Sequence, residues 1–519
     1  MLAFKSNKSV VSLAAFTILL SWLGCAIFNE GWAQASSQKW LPDIPKTWDE
    51  KALASLELPL VDSSFSPVHI SAEYYYGIPV RPVYKNYPVY APAKEPAGYI
   101  AWLRQQKPEI AFEAAKLKTK EDWIKAGALV FDAPIVYGTL FIPVSDHLYL
   151  RDSTWYQAVN PPVAKDGTLP FYRYVIREQG KIEVGLISCG MCHTRVMPDG
   201  SIIKGGQGNF PFDRALAYDF RTGVQDVKMA RAAERVLYAA PWLKPDPYAQ
   251  IDSRSQEEIA ALHEVIPAGI AARHGSSPMA PIKIPDLFDI QDRKYFDATG
   301  LMRHRDLGDL MRYAALNQDG DFLARHGNFI PQEAFEPLPQ DPAQFQVGRY
   351  SDEQLYALAL YVYALKPPLN PNKLDSLAAY GQKIFEREGC SGCHTPPLYT
   401  NNKLTPAAGF KVPARHYKIY DLKEIYVNTN PDLALKTRRG TGYYKVPSLR
   451  HVWARGPLQH SGAVATLEDW LNPDRVEDDY VPTGFHGHGA KYSAVEGHPF
   501  GLELSDEDRS ALIAFLKTL

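Results

Sequence analysis

Cys189-Gly190-Met191-Cys192-His193 and Cys390-Ser391-Gly392-Cys393-His394 are two copies of one pattern, C-x-x-C-H. The pattern is the attachment signal of c-type haem. Two thiols add to the porphyrin vinyl groups, and the adjacent imidazole is placed to ligate the iron. The bland alternative is a redox or zinc C-x-x-C followed by a chance His. A shuffled chain of this composition would hold roughly 0.001 such pentapeptides. Two copies, using every Cys except Cys25, dispose of that alternative. Two covalent haem c groups are therefore expected on Cys189, Cys192, Cys390 and Cys393, with His193 and His394 as proximal iron ligands.

The sequence around the motifs is also duplicated. Gly127-x-x-x-Phe131 precedes the first and Gly381-x-x-x-Phe385 the second. Downstream, IPDLFDIQDRKYFDATG (284–300) parallels VPSLRHVWARGPLQHSG (446–462), with Pro285/Pro447, Leu287/Leu449, Arg293/Arg455 and Gly300/Gly462 coinciding. Each copy closes on a helix opened by a capping signal, Ser351 with Gln354 and Ser505 with Asp508. Ala357/Ala511, Leu358/Leu512, Tyr361/Phe515 and Leu365/Leu519 then recur at helical spacing. A helix leading into C-x-x-C-H and a later helix crossing it is the plan of a cytochrome c domain, used twice.

The expected fold is mainly α. Domain one spans 119–366 and domain two 371–519, broken at Lys366-Pro367-Pro368-Leu369-Asn370-Pro371, where no helix can continue. An insertion at 132–188 carries a β-hairpin, Tyr172–Ile176 and Lys181–Gly185 around Gln179-Gly180. Residues 36–118, rich in Tyr and Pro and without helical period, read as an extended arm wrapped over the core.

Residues 1–35 read as a secretory signal peptide: Lys5 and Lys8, an uncharged run at 10–28, then Ala33-Gln34-Ala35. The run is long enough to span a bilayer, so an uncleaved N-terminal anchor is the rival. Lipidation at Cys25 is a weaker one. Export agrees with covalent haem attachment, which takes place outside the cytoplasm, so a periplasmic or secreted protein is expected. A net charge of −2 argues against nucleic acid as a partner. With 46% hydrophobic and 22% charged residues, the 519-residue chain is neither mostly disordered nor a polytopic membrane protein.

The last of the seven Met is Met311, so domain two offers no Met ligand of its own. Its axial candidates are His416, His451, His460, His486, His488 and His498. His498 stands out, because it precedes Phe500-Gly501-Leu502 and the terminal helix, where a loop would cross the distal haem face. His486 and His488, in FHGHG, are the competitors. Domain one offers His147, His263, His274, His304 and His326, and no spacing singles one out.

The stretches VPSLRHVWARGPLQHSGAVATLEDWL and LELSDEDRSALIAFLKTL resemble the bacterial di-haem cytochrome c peroxidases and their relative MauG, over roughly 120–519. The resemblance implies a catalytic N-terminal haem and an electron-transfer C-terminal haem. His498 stands in the slot where the peroxidases carry a Met, which implies bis-His ligation of the second haem and a lower potential. The stretch TRVMPDGSIIKGGQGNFPFD lacks the distal His that the peroxidases place after the first motif. The first iron is then expected to be open or held by a small ligand. Phe296 occupies the slot of the inter-haem Trp, with Tyr295 as a substitute relay. Lacking the distal His and the Met, and with ISCGMCHTR and DRKYFDATGLMRHRDLGDL, the chain looks closer to the rubber-oxygenase branch. The family also binds Ca²⁺ between its domains. Asn209 matches the family's Asn, and Arg455-Gly456-Pro457 stands in for its T-x-P carbonyls. Arg293, Arg450 and Arg455 serve equally as cations for haem propionates.

The resulting expectation is an exported di-haem oxidoreductase. Peroxide or O₂ reacts at the His193 haem, with or without an organic substrate. Electrons pass through the His394/His498 haem to or from a periplasmic partner. The alternative is a di-haem electron carrier with no substrate chemistry. The inserted sequence around domain one favours the enzyme.

Overall fold

The structure is a computed structural model describing residues 40–137, 150–223, 226–273, 275–319, 323–334 and 348–519. The expected signal peptide, Cys25, His147 and His274 lie outside the described residues. No described helix is long and apolar enough to cross a membrane.

The described chain mixes α-helices, short 3-10 helices and small sheets. It is less purely helical than expected. Two repeats of one helix pairing organise it. Lys120–Asp132 crosses Asp352–Ala364, and Ser376–Arg387 crosses Asp506–Thr518. The crossings match residue for residue. A Cβ on Gly127 would lie 1.9 Å from the Ala357 carbonyl oxygen, and one on Gly381 would lie 1.9 Å from that of Ala511. Only glycine permits helix backbones to approach so closely. The ring beside each crossing repeats too: Phe131 meets Tyr361 at 5.2 Å and Phe385 meets Phe515 at 5.4 Å.

The capping signals differ in detail. Ser351 and Gln354 exchange both hydrogen bonds of a capping box. Ser505 caps the Asp508 N–H, but the Asp508 carboxylate turns away to Tyr380 and Arg387. Between the helices that end at Ala364 and begin at Ser376, the proline-rich break carries no regular structure.

The hairpin forms as strands Thr168–Glu178 and Lys181–Leu186, with Gly180 at φ +90° in the turn. It sits inside a four-stranded sheet flanked by Asn86–Tyr90 and Val136–Tyr137. The arm is therefore not simply extended. It supplies that edge strand, a strand Pro67–His69 paired with Ala324–His326, and helices Glu50–Ala54, Ala72–Gly77 and Tyr99–Gln105. Tyr74–Tyr76, which showed no helical period, lie on a helix capped by Ser71. Tyr75 is buried and stacks on Trp48 at 4.2 Å. Tertiary burial of one aromatic face supplies what local pattern lacked.

Candidate haem centres

Ser188 caps a single helical turn, Cys189–Cys192, by accepting from the Met191 N–H. His193 follows as the C-cap, its Nδ1 donating to the Pro285 carbonyl at 3.0 Å. Burial pushes its pKa down to about 4. The ring is thus neutral, its proton fixed on Nδ1 and the Nε2 lone pair left for a metal. Cys390–Gly392 forms the matching 3-10 turn in the second copy. His394 Nδ1 donates to the Tyr399 carbonyl at 3.1 Å, with the Pro447 carbonyl as a second acceptor. Burial again lowers the ring's pKa. Pro285 and Pro447 are equivalent repeat positions, so the duplicated sequence orients both proximal imidazoles. No disulfide joins Cys189, Cys192, Cys390 and Cys393. Two thiols beside an oriented neutral imidazole fit haem c at both places.

The distal sides differ. The rings of His394 and His498 lie close, with centroids 6.4 Å apart and planes tilted by 56°. The His498 Nδ1 is buried without a hydrogen-bond partner. These two imidazoles would be the residues to hold a haem iron here. Burial first, then repulsion from His394 and Arg475, pushes the His498 pKa down to about 3, which keeps it a neutral donor. His498 sits at φ +47°, an unfavourable backbone held by its surroundings. The fully buried Arg475 donates to the carbonyls of Trp470 (2.8 Å), Gly497 (2.9 Å), His498 (2.8 Å) and Val495. Trp470 and Phe500 each pack on the His498 ring at 5.2 Å.

The other candidate histidines of the second repeat are placed differently, and His460 keeps both ring nitrogens buried without a hydrogen-bond partner. His486 Nδ1 meets its neighbour's carbonyl, that of Gly487, and His488 is exposed. His416 binds the Tyr443 hydroxyl and His451 binds Asp289. His460 stacks flat on Tyr444 at 4.2 Å.

Among the described residues, no imidazole faces His193 as His498 faces His394. His263 is fully buried and spends both ring nitrogens, on Asp213 (2.7 Å) and Glu234 (3.1 Å). His304 spends both on the Arg293 carbonyl and the Tyr363 hydroxyl. His326 bonds the Phe65 carbonyl and lines a small polar cavity with Glu57, His69 and Arg439. Phe296 is buried between His304 and Tyr313, 4.6 Å from each ring. Tyr295, its neighbour, accepts from the Asp421 N–H through its hydroxyl.

The expected calcium donors meet protein partners. Asn209 bonds Val196 with both ends of its amide, accepting from its N–H and donating to its carbonyl. Arg455 pairs with Asp286 at 2.9 Å, and the Pro457 carbonyl accepts from Gln207. A guanidinium already occupies this junction. Arg195 donates to the Gln207 and Gly456 carbonyls, each at 3.2 Å. The described residues hold no cluster of three His, Cys, Asp or Glu suited to a metal ion.

Sequence reasoning missed three features. Arg475 has no local signal, because its carbonyl partners lie on remote loops. The Asp213–His263–Glu234 triad joins three helices far apart in the chain. Lys283 and Lys445 were detectable, since they occupy the same position of the repeat, just ahead of Ile284-Pro285 and Val446-Pro447.

No family model and no curated protein matches this chain. Three solved structures are similar to parts of it. Hydrazine synthase from Kuenenia stuttgartiensis shares 17% identity at a TM-score of 0.25, over 46% of this chain and 73% of that one. A MauG-like protein associated with microbial copper homeostasis shares 19% at 0.21, over 32% of this chain and 56% of its own. The diheme peroxidase BthA from Burkholderia thailandensis shares 18% at 0.20, over 46% and 66%.

Proposed function

We propose that this chain is an exported di-haem c-type oxidoreductase in which the two haems divide the labour. Peroxide or O₂ reacts at the His193 centre, and the His394/His498 centre carries electrons to or from a partner in the same compartment. The observation carrying this reading is the asymmetry between the centres. The His498 ring lies 6.4 Å from that of His394, while His263 and His304 of the first repeat spend both ring nitrogens on other partners. A coordinatively saturated iron must shed a ligand before binding a small molecule, and an open one need not.

Within this reading Cys189, Cys192 and His193 hold one haem, and Cys390, Cys393, His394 and His498 hold the other. Haem iron supplies the one-electron and oxygen chemistry that no protein side chain provides. The chain's own part is orientation. Pro285 fixes the proton of His193 on Nδ1, and Arg475 holds the strained His498 loop.

Ferric absorption with cyanide, and reduced absorption with CO, test the reading. One haem per chain is expected to respond, and that response is expected to survive in a His498 variant. If neither haem binds either ligand, the protein is an electron carrier and the proposal fails.

A further inference from the structure

Lys283 and Lys445 hold equivalent places in the two repeats, each two residues before the proline that orients a proximal histidine. Lys283 ends the strand Ile282–Lys283, and Lys445 ends the strand Tyr443–Lys445. Arg293 and Arg455 are likewise equivalent, eight positions beyond those prolines. The folded chain brings all four together. Arg293 and Arg455 share one carboxylate, Asp286, at 2.6 and 2.9 Å. These two arginines hold Asp286 well below the usual carboxylate range.

The two ammonium groups have no such partner. Lys445 Nζ reaches only the Tyr295 carbonyl, at 3.4 Å. Lys283 Nζ makes no hydrogen bond or ion pair among the described residues. Asp297 accepts from the Tyr313 hydroxyl at 2.6 Å, and its carboxylate, with that of Asp286, partly offsets Lys445. Burial, reinforced by neighbouring cations, pushes Lys283 down to about 8 and Lys445 to about 7. Two guanidinium groups and two lysine amines thus converge on Asp286 and Asp297. Buried charge of one sign is costly unless paired, and ammonium and guanidinium groups are strong donors to carboxylates.

We infer that Lys283 and Lys445, with Arg293 and Arg455, form one carboxylate-receiving site shared by the two repeats, occupied by the propionates of the two haems. The inference rests on the di-haem reading. It gives the duplicated lysines a single role: each repeat orients its histidine through a proline and neutralises propionate through the lysine two residues earlier. A free anion could satisfy the same donors, and the test separates the two sources.

The test uses the full, haem-loaded protein. Lys283→Met, Lys445→Met, Lys445→Gln and Lys445→Arg are compared with the native chain. Haem content is measured first, then spectroelectrochemical midpoint potentials with and without added acetate or phosphate, and the propionate bending bands by resonance Raman. Removing a cation beside a haem favours the more positive ferric state. The Met and Gln variants are therefore expected to shift to more negative potential with altered propionate bands, and Lys445→Arg to stay near native. Native potentials are expected to ignore added acetate and phosphate. Unchanged potentials and bands in fully loaded Met and Gln variants would overturn the inference. So would native potentials that follow added anion while the variants do not, since the occupant would then be a free anion. A native chain that carries no haem would instead sink the proposed function itself.

Discussion

The imidazoles of His394 and His498 lie 6.4 Å apart between ring centres, their planes tilted by 56°, although 104 positions separate them in the chain. His498 is placed by contacts that are themselves remote in sequence. Its N–H donates to the Val427 carbonyl at 2.6 Å, and Arg475 gathers the carbonyls on either side. These bonds hold the loop backbone on both sides of His498, so the protein itself sets the place of that ring.

Replacing His498 by Gly is expected to remove the low-spin signature of one haem and leave the other unaffected. Added imidazole is expected to restore it, because the loop clamp stays in place. The ferric spectrum with and without imidazole checks this. Retention of two native spectra would move the ligand to another residue.

Arg475→Met leaves the carbonyls of Gly497 and His498 without their donor in a buried setting. Each orphaned buried acceptor costs about 1–3 kcal/mol. The expected result is lower stability together with a partly high-spin second haem, read by denaturant titration and by absorption on the same samples. A stability loss with an unaltered spectrum would make Arg475 a packing residue only.

His263 gives a pH prediction. Asp213 and Glu234 lift its pKa from 6.5 to about 10 against the opposing cost of burial. A folded-state pKa above the unfolded one stabilises the protein fully below about 6.5, and the contribution is lost as pH rises through about 10. Denaturation midpoints are therefore expected to fall between pH 7 and 10. In His263→Ala that slope is expected to flatten, with overall stability lower by about 3–5 kcal/mol, since two buried carboxylates lose their cation.

The two helix crossings are tested by alanine. Gly381→Ala forces a methyl group against the Ala511 carbonyl. Overpacking of this kind costs about 1–3 kcal/mol. Gly77→Ala, with open space around its Cβ, is expected to stay within about 0.5 kcal/mol of native. Equal behaviour of the two variants in thermal unfolding would show that the second crossing is looser than its geometry.

Chelation addresses the inter-repeat junction. With Arg195 already donating to the Gln207 and Gly456 carbonyls, treatment with a calcium chelator is expected to leave thermal stability and spectra unchanged. Arg195→Ala is expected to lower stability by about 1–3 kcal/mol, because two carbonyls lose a donor. A chelator-induced loss that calcium reverses would show a metal at this junction.

The sequence alone determined whatever is written in contiguous residues. C-x-x-C-H needs only five positions to bring two thiols and an imidazole together. Gly127/Gly381, Ala357/Ala511 and Pro285/Pro447 were legible because duplication repeats spacing, and spacing within a helix or turn fixes local geometry. The hairpin around Gly180 was legible for the same reason. Tertiary structure decided everything that depends on remote segments meeting. His498 stood out by its place ahead of the terminal helix, with His486 and His488 as competitors, but only the folded chain places Arg475, Trp470 and Val427 around it. Asn209 matched an expected calcium ligand as a letter, yet its amide is committed to Val196. Tyr74–Tyr76 showed no helical period, and burial of Tyr75 on Trp48 made the helix. In each case the deciding free energy comes from contacts between distant positions, which local sequence does not record.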